Sequence, residues 1–261
     1  MDMAWARAVW VLSILLGVTL GFSVILQRLS PKVSSLSVGF KLKSRTRLYI
    51  LSPGVACHEL GHCIGAWITG ARVAKVVFFE IDEDNGRLGY VRFSSTPGWW
   101  GAFQRTASST GPLWFGCLMI ALLSKLLLGS AAVVHVEEFV DCTMAPSVIE
   151  YLLGCFWAGG RLLSDVVLGG FVSPIRAILW LYLSYCIASF MGMSPVDLRL
   201  MWKGVVLLLV VVLVLAMIPL VGKLVVIGVY LALPVVFTLH AIMAFCIVLS
   251  CAMILLFRLV R

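Results

Sequence analysis

Between Val205 and Phe257 the chain carries a single charged side chain, Lys223. A soluble fold cannot cover so long an apolar stretch, whereas a membrane-spanning helix needs about 20 mainly apolar residues. Pro219, Gly222, Lys223 and Pro234 break the stretch, and its length fits two helices. Further apolar runs cover about 4–26, 48–69, 111–128 and 174–193. Residues 148–170 fit either a span or a helix lying in the interface, because Arg161 and Asp165 interrupt them. Hydrophobic residues make up 62% of the 261 and charged residues 12%, with a mean hydropathy of +1.08. Soluble domains are nearer half apolar and a quarter charged, so a soluble enzyme and a disordered chain are excluded. The net charge of +8 does not indicate nucleic acid, because Lys and Arg sit in short segments between apolar runs. That distribution orients a chain in a bilayer and attracts anionic lipid. The expected fold is an all-α polytopic membrane protein of about six transmembrane helices. It forms one integral-membrane domain over 1–261, embedded in the lipid bilayer of the cell membrane as a multi-pass protein. The first run reads as a retained helix and not a cleaved signal, for want of a small-residue cleavage site before a soluble domain.

Charge outside these runs is uneven. Residues 28–47 hold Arg28, Lys32, Lys41, Lys43, Arg45 and Arg47 and no acid, which argues for the cytosolic side. Residues 130–147 hold Glu137, Glu138 and Asp141 and no base, which argues for the opposite side. If 48–70 and 107–128 both cross fully, the two segments fall on one side, so the two indications oppose each other. Eight cysteines, Cys57, Cys63, Cys117, Cys142, Cys155, Cys186, Cys246 and Cys251, form no CxxC, and all but Cys142 lie in apolar stretches. They are expected to be reduced and to behave as small hydrophobes.

Residues 71–94 have another character. Val73 to Ile81 is rich in Val and Phe, Asp84-Asn85-Gly86 is a turn signal, and Leu88 to Phe93 resumes with aromatic and β-branched residues. This predicts a β-hairpin over 73–93, too short and too charged to span a bilayer. An isolated hairpin is marginal, so it is expected to lie against the helices or the membrane surface. Trp99, Trp100 and Arg105 have the character of interfacial anchors.

The chemistry-bearing residues are His58-Glu59-Leu60-Gly61-His62. Residues four apart share a helix face. His58 and His62 can therefore offer two imidazole nitrogens to one metal ion, while Glu59 on the flank reaches a water bound to it. This is the HExxH arrangement of two zinc ligands and a general base. Four His and six Glu would produce it by chance in roughly one such chain in a thousand. Ionisable residues inside an apolar run are costly, which favours function over two packed histidines beside a buried Glu.

Catalytic zinc usually takes a third protein ligand. Asp197, at the end of an apolar run, leads. Ser194, Pro195 and Asp197 also read as an ordinary capping box, and that alternative stands beside the ligand role. Asp165 can pair with Arg161 four residues earlier, His135 lies in the acidic segment, and His240 reads as a hydrogen-bonded structural residue. Cys57 points away from the ligand face, and Cys63 is beside His62, not a turn away. Gly61 and Gly65 form a small-xxx-small pair that lets another helix approach.

Three segments together resemble the site-2 protease family of intramembrane zinc metalloproteases, in its compact form without large soluble domains. Ala56-Cys57-His58-Glu59-Leu60-Gly61-His62-Cys63-Ile64-Gly65-Ala66, then Thr69-Gly70-Ala71-Arg72-Val73, is similar to that family's histidine helix and the start of its hairpin. Thr110-Gly111-Pro112-Leu113 resembles the opening of its next core helix, and Ser194-Pro195-Val196-Asp197-Leu198 its distal aspartate motif. Leu198 departs from the family's Gly after the Asp, and its Asn before the Pro has no counterpart. The resemblance covers about 48–204 as a catalytic core, with flanking helices at about 4–26 and 205–257. It implies Zn2+ held by His58, His62 and Asp197, with Glu59 as catalytic base. The implied reaction is hydrolysis of peptide bonds in or near transmembrane segments of a membrane-protein substrate, with the hairpin pairing to the unwound substrate. Two other readings stay open. One is a membrane zinc protease of the CAAX prenyl protease type, with a distal Glu such as Glu137, Glu138 or Glu150 as third ligand. The other is a non-enzymatic membrane binding or transport protein.

Overall fold

A computed structural model describes residues 4–36, 44–80, 88–129, 147–216 and 218–259 of the chain. Seven α-helices and one antiparallel pair of strands make up these residues. In chain order they are α1 (Ala4–Leu36), α2 (Ser44–Ile68), β1 (Arg72–Val77), β2 (Tyr90–Ser94), α3 (Gly98–Leu123), α4 (Val148–Val172), α5 (Pro174–Phe190), α6 (Pro195–Ala216) and α7 (Pro219–Leu259). Proline at the first position starts α5, α6 and α7, where its missing N–H is not needed and its φ suits the helix. α2 ends in a Schellman motif. Gly70, at φ +73°, donates to Trp67 O at 3.0 Å, and Ala71 donates to Ala66 O at 2.9 Å, which turns the chain directly into β1. α3 widens into a π-helical turn over Ser124–Leu128 before Gly129.

Several boundaries differ from the sequence expectation. α1 continues to Leu36, through residues expected in a polar loop. The helix expected from Gly111 begins at Gly98, so Trp99 and Trp100 lie in its first turn and Pro112 lies inside it. Residues 195–203, expected in a short polar segment, form the first turns of α6, and Pro234 is accommodated within α7. The acidic segment 130–146, with His135 and Cys142, and the turn Asp84–Gly86 lie outside the described residues.

Four of the described helical stretches are long and apolar enough to cross a membrane: Val9–Leu29, Gly98–Leu128, Pro195–Leu215 and Val221–Leu256. These agree with a membrane protein, but the expected count of about six is not reached. α5 is apolar but has only 17 residues. α2 carries the histidine motif in its middle and basic residues in its first turn. Val206, Leu208, Val210, Val211, Leu213 and Val214 of α6 are all exposed. So continuous an apolar face suits contact with lipid and not water.

The main core gathers α1, α3, α4, α5 and α7 around Leu26, Leu113, Ile120, Trp180 and Phe245. His240 is fully buried in it, with its Nε2 2.7 Å from Thr19 Oγ1 and its Nδ1 2.7 Å from the phenolic oxygen of Tyr151. Three helices are thereby tied, in the structural role expected of that histidine. All seven described cysteines are unpaired.

α2 and α3 meet along a seam without side chains. A Cβ at Gly61 would stand 2.6 Å from Pro112 Cα, and one at Gly65 would meet the Ala107 backbone and stand 2.8 Å from Ser108 Cα. β1 and β2 pair antiparallel, with Val73 opposite Phe93, Lys75 opposite Arg92 and Val77 opposite Tyr90, and with an irregularity between Val73 and Lys75. The hairpin folds back along α2, where the rings of Tyr49 and Phe79 lie 5.4 Å apart. The seam makes a direct prediction. Gly65→Leu should destabilise the protein by about 1–3 kcal/mol through overpacking. Gly17→Leu, at a position with nothing within 4 Å of a new Cβ, should leave thermal unfolding in detergent unchanged. Equal melting of the two variants would refute the seam.

Candidate metal centre

The middle of α2 brings His58 and His62 side by side on one face. Their Nε2 atoms are 3.1 Å apart and their rings nearly perpendicular, at 86°. The Nδ1 of each faces a backbone carbonyl, Phe190 O at 2.6 Å for His58 and Ser108 O at 2.8 Å for His62. A carbonyl only accepts, so each ring hydrogen is on Nδ1 and each Nε2 presents a lone pair to the other.

Both carbonyls are free for the same reason. In α3 the partner of Ser108 O would be the N–H of residue 112, and residue 112 is proline. Phe190 is the last residue of α5, where carbonyls have no helical donor. The N–H of Ser194, four residues on, is taken by Asp197 Oδ2 at 3.0 Å. Pro112 is therefore tolerated inside α3 because His62 replaces the donor it lacks. Ser108 also donates its hydroxyl to His62 O at 3.0 Å, so the two residues are joined twice.

Asp197 lies in the first turn of α6, next to the turn after α5. That turn is held by α1, through Met193 N donating to Ser23 Oγ at 3.2 Å, and α6 is held to α3 by Thr106 Oγ1 donating to Met201 O at 3.0 Å. The capping box is present: Ser194 Oγ donates to Asp197 Oδ2 at 2.6 Å, and Asp197 N to Ser194 Oγ at 3.2 Å. The other oxygen, Oδ1, is 3.7 Å from His62 Nε2. The cap thus occupies one oxygen of the carboxylate and leaves the other facing His62.

His58, His62 and Asp197 each offer one ligand atom, and all three atoms lie within 4.8 Å of one another. Two ligand atoms at about 2.0–2.1 Å from a tetrahedral zinc stand roughly 3.3 Å apart. The imidazole pair fits this closely, and the carboxylate oxygen needs a small inward shift. Two unprotonated nitrogens and a carboxylate oxygen share no hydrogen among them, and such a donor set could hold a cation. Carbonyl acceptors behind the imidazoles are the usual outer support of metal-bound histidines.

Glu59 is buried, at 7% exposure, and close enough to Asp197 for their charges to interact. Gly89, just before β2, lies against its side chain. Other candidates are not in the group. Glu150 is exposed and forms a second capping box with Ser147, at 3.1 and 3.2 Å. Cys57 and Cys63 supply no atom to the cluster, and the side chain of Asp165 lies outside the described residues. Sequence reasoning missed Ser108, Phe190 and Gly89. The first was signalled only by a proline four residues on, and the second, a backbone atom, by nothing.

An apolar cavity of about 490 Å³ lies between α1, α2, α3 and α6, beside the seam, with Gly61, Gly65, Thr110 and Trp114 in its wall. Compared with protein-family models, with curated proteins and with solved structures, the chain matches none.

Asp197→Asn keeps an oxygen for the cap but loses the charge. Its unfolding temperature without metal should match the wild type, while the stabilisation by added Zn2+ should disappear. Asp197→Ala should lose the cap as well, at a cost of about 1 kcal/mol. Metal retention by Asp197→Ala, measured by elemental analysis, would remove Asp197 from the ligand set.

Proposed function

We propose that the protein is an intramembrane zinc metalloprotease of the site-2 type. In this reading it is a multi-pass protein of the cell membrane that cleaves a membrane-protein substrate in or near its transmembrane segment. The observation that carries the reading is the meeting of Asp197 with His58 and His62 from a helix more than a hundred positions away, beside a buried Glu59. An HExxH helix alone supplies two ligands and a base. A third ligand atom within reach of the same ion is what a catalytic zinc site needs and a structural histidine pair does not.

The residues divide the work. His58, His62 and Asp197 hold Zn2+, which when bound supplies a Lewis acid and a water acidified to near neutrality. Glu59, on the flank of the ligand face, accepts a proton and returns it to the leaving amine nitrogen. The hairpin and α2 shield this carboxyl from bulk solvent. A substrate helix hides its carbonyls in its own hydrogen bonds, so it must unwind before cleavage. The exposed edge of the hairpin offers an extended segment a strand to pair with. The apolar cavity beside Gly61 and Gly65 lets an apolar segment approach the histidine helix from the membrane side.

The prenyl-protease reading is less well supported, because Glu150 is spent in its own capping box, away from the histidines. Reconstituted protein with a transmembrane substrate should show cleavage that a chelator stops and Zn2+ restores. Glu59→Gln should retain zinc and lose about 100-fold or more in rate. A protein that binds no metal and cleaves no membrane helix would instead be a binding or transport protein.

A further inference from the structure

Gly89 is not one of the described glycines with positive φ, which are Gly70, Gly98 and Gly129, so its backbone does not require glycine. Its surroundings do. A Cβ there would stand 2.9 Å from Glu59 Cγ, 3.2 Å from Glu59 Oε1 and 2.9 Å from the carbonyl oxygen of Val77 on the facing strand. The missing side chain is thus pinched between β1 on one side and the Glu59 carboxyl arm on the other. The hairpin cannot lift to make room without breaking contacts at its base. There Gln104, buried in α3, donates from Nε2 to Thr69 O at 3.1 Å and accepts from Thr96 N at 2.8 Å and Thr96 Oγ1 at 3.1 Å. Arg105 Nη1 donates to Ser95 Oγ at 2.7 Å beside it.

We propose that Gly89 is a positioning residue for Glu59: the bare backbone of the hairpin lies against the Glu59 side chain and holds its carboxyl in place beside the histidine pair. This rests on the reading of Glu59 as general base. With the hairpin clamped at Gln104 and closed over Glu59 at Gly89, the long side chain loses the rotamers that would swing it out of the site. Even a methyl group at position 89 must displace Glu59 or part the strands.

The test uses the full chain, reconstituted with a transmembrane substrate. Gly89→Ala should lower kcat about 100-fold, the scale of a misplacement near 1 Å. KM should stay within about twofold and zinc content should be unchanged. If Gly89 acts through Glu59, adding Gly89→Ala to Glu59→Gln should not lower the residual rate further, since effects on one group are not additive. Wild-type kcat in Gly89→Ala beside an inactive Glu59→Gln overturns this proposal alone. A further loss in the double variant, or loss of zinc with the single one, also overturns it, by showing a general structural defect. Full cleavage by Glu59→Gln overturns the reading of Glu59 and this proposal with it. Gln104→Ala adds no atom near Glu59 but frees the hairpin base, and it decides the matter if Gly89→Ala does not fold. It should lower kcat at constant KM and zinc content, and an unchanged kcat counts against the proposal.

Discussion

Two backbone carbonyls with no helical partner, those of Ser108 and Phe190, set the geometry on which the rest of the site depends. An apolar surrounding leaves no water to satisfy such groups, so each must find a donor within the protein. Each finds an imidazole Nδ1. The helix interruptions that free the carbonyls, a proline in α3 and the end of α5, are therefore also what orient the histidines. Orientation and backbone satisfaction are one requirement met once, and the glycines of the α2–α3 seam bring Ser108 near enough to meet it.

His58, Glu59 and His62 were legible in the sequence because one helix turn holds them, so spacing alone fixes their relation. Asp197 was half legible. Its surrounding residues spell a cap, and nothing in a linear pattern shows that a carboxylate can cap with one oxygen and face a histidine pair with the other. Pro112 stands at the start of the helix expected from Gly111 but lies inside α3. Its tolerance within α3 depends on a donor from a different helix, which no local rule contains. The hairpin is visible from its alternation and turn residues, but nothing in the expected strand over Leu88 to Phe93 gives a reason for glycine at position 89. What makes that position glycine is Glu59, thirty positions earlier in sequence.

The membrane character was plain from composition, whereas the number of crossings was not. Hydropathy counts an apolar run without asking what the helix must carry. α2 bears the histidines, Glu59 and a basic first turn, and α5 is short, so both fall outside the class of long apolar helices although both hold the site together. Of the helices that shape the polar centre, α2 and α5 look least like spans, whereas α3 and α6, which bring Ser108 and Asp197, are long and apolar enough to cross. The lipid-facing work passes to α6 and its neighbours, whose outer faces are apolar and exposed.

The Schellman turn at Gly70 joins two elements that advance at different rates. From Glu59 to Thr69 the helix climbs about 15 Å at 1.5 Å per residue. From Arg72 to Val77 the strand returns about 16 Å at 3.3 Å per residue. The chain thus measures out a distance along α2 and comes back to the same height in half as many residues. Adding two residues to the strand would carry Gly89 about 7 Å past Glu59. Adding two to the helix would turn the carboxyl through about 200° and away from the hairpin altogether. The length of this folded segment is consequently fixed to the residue, even where the identity of its side chains is not.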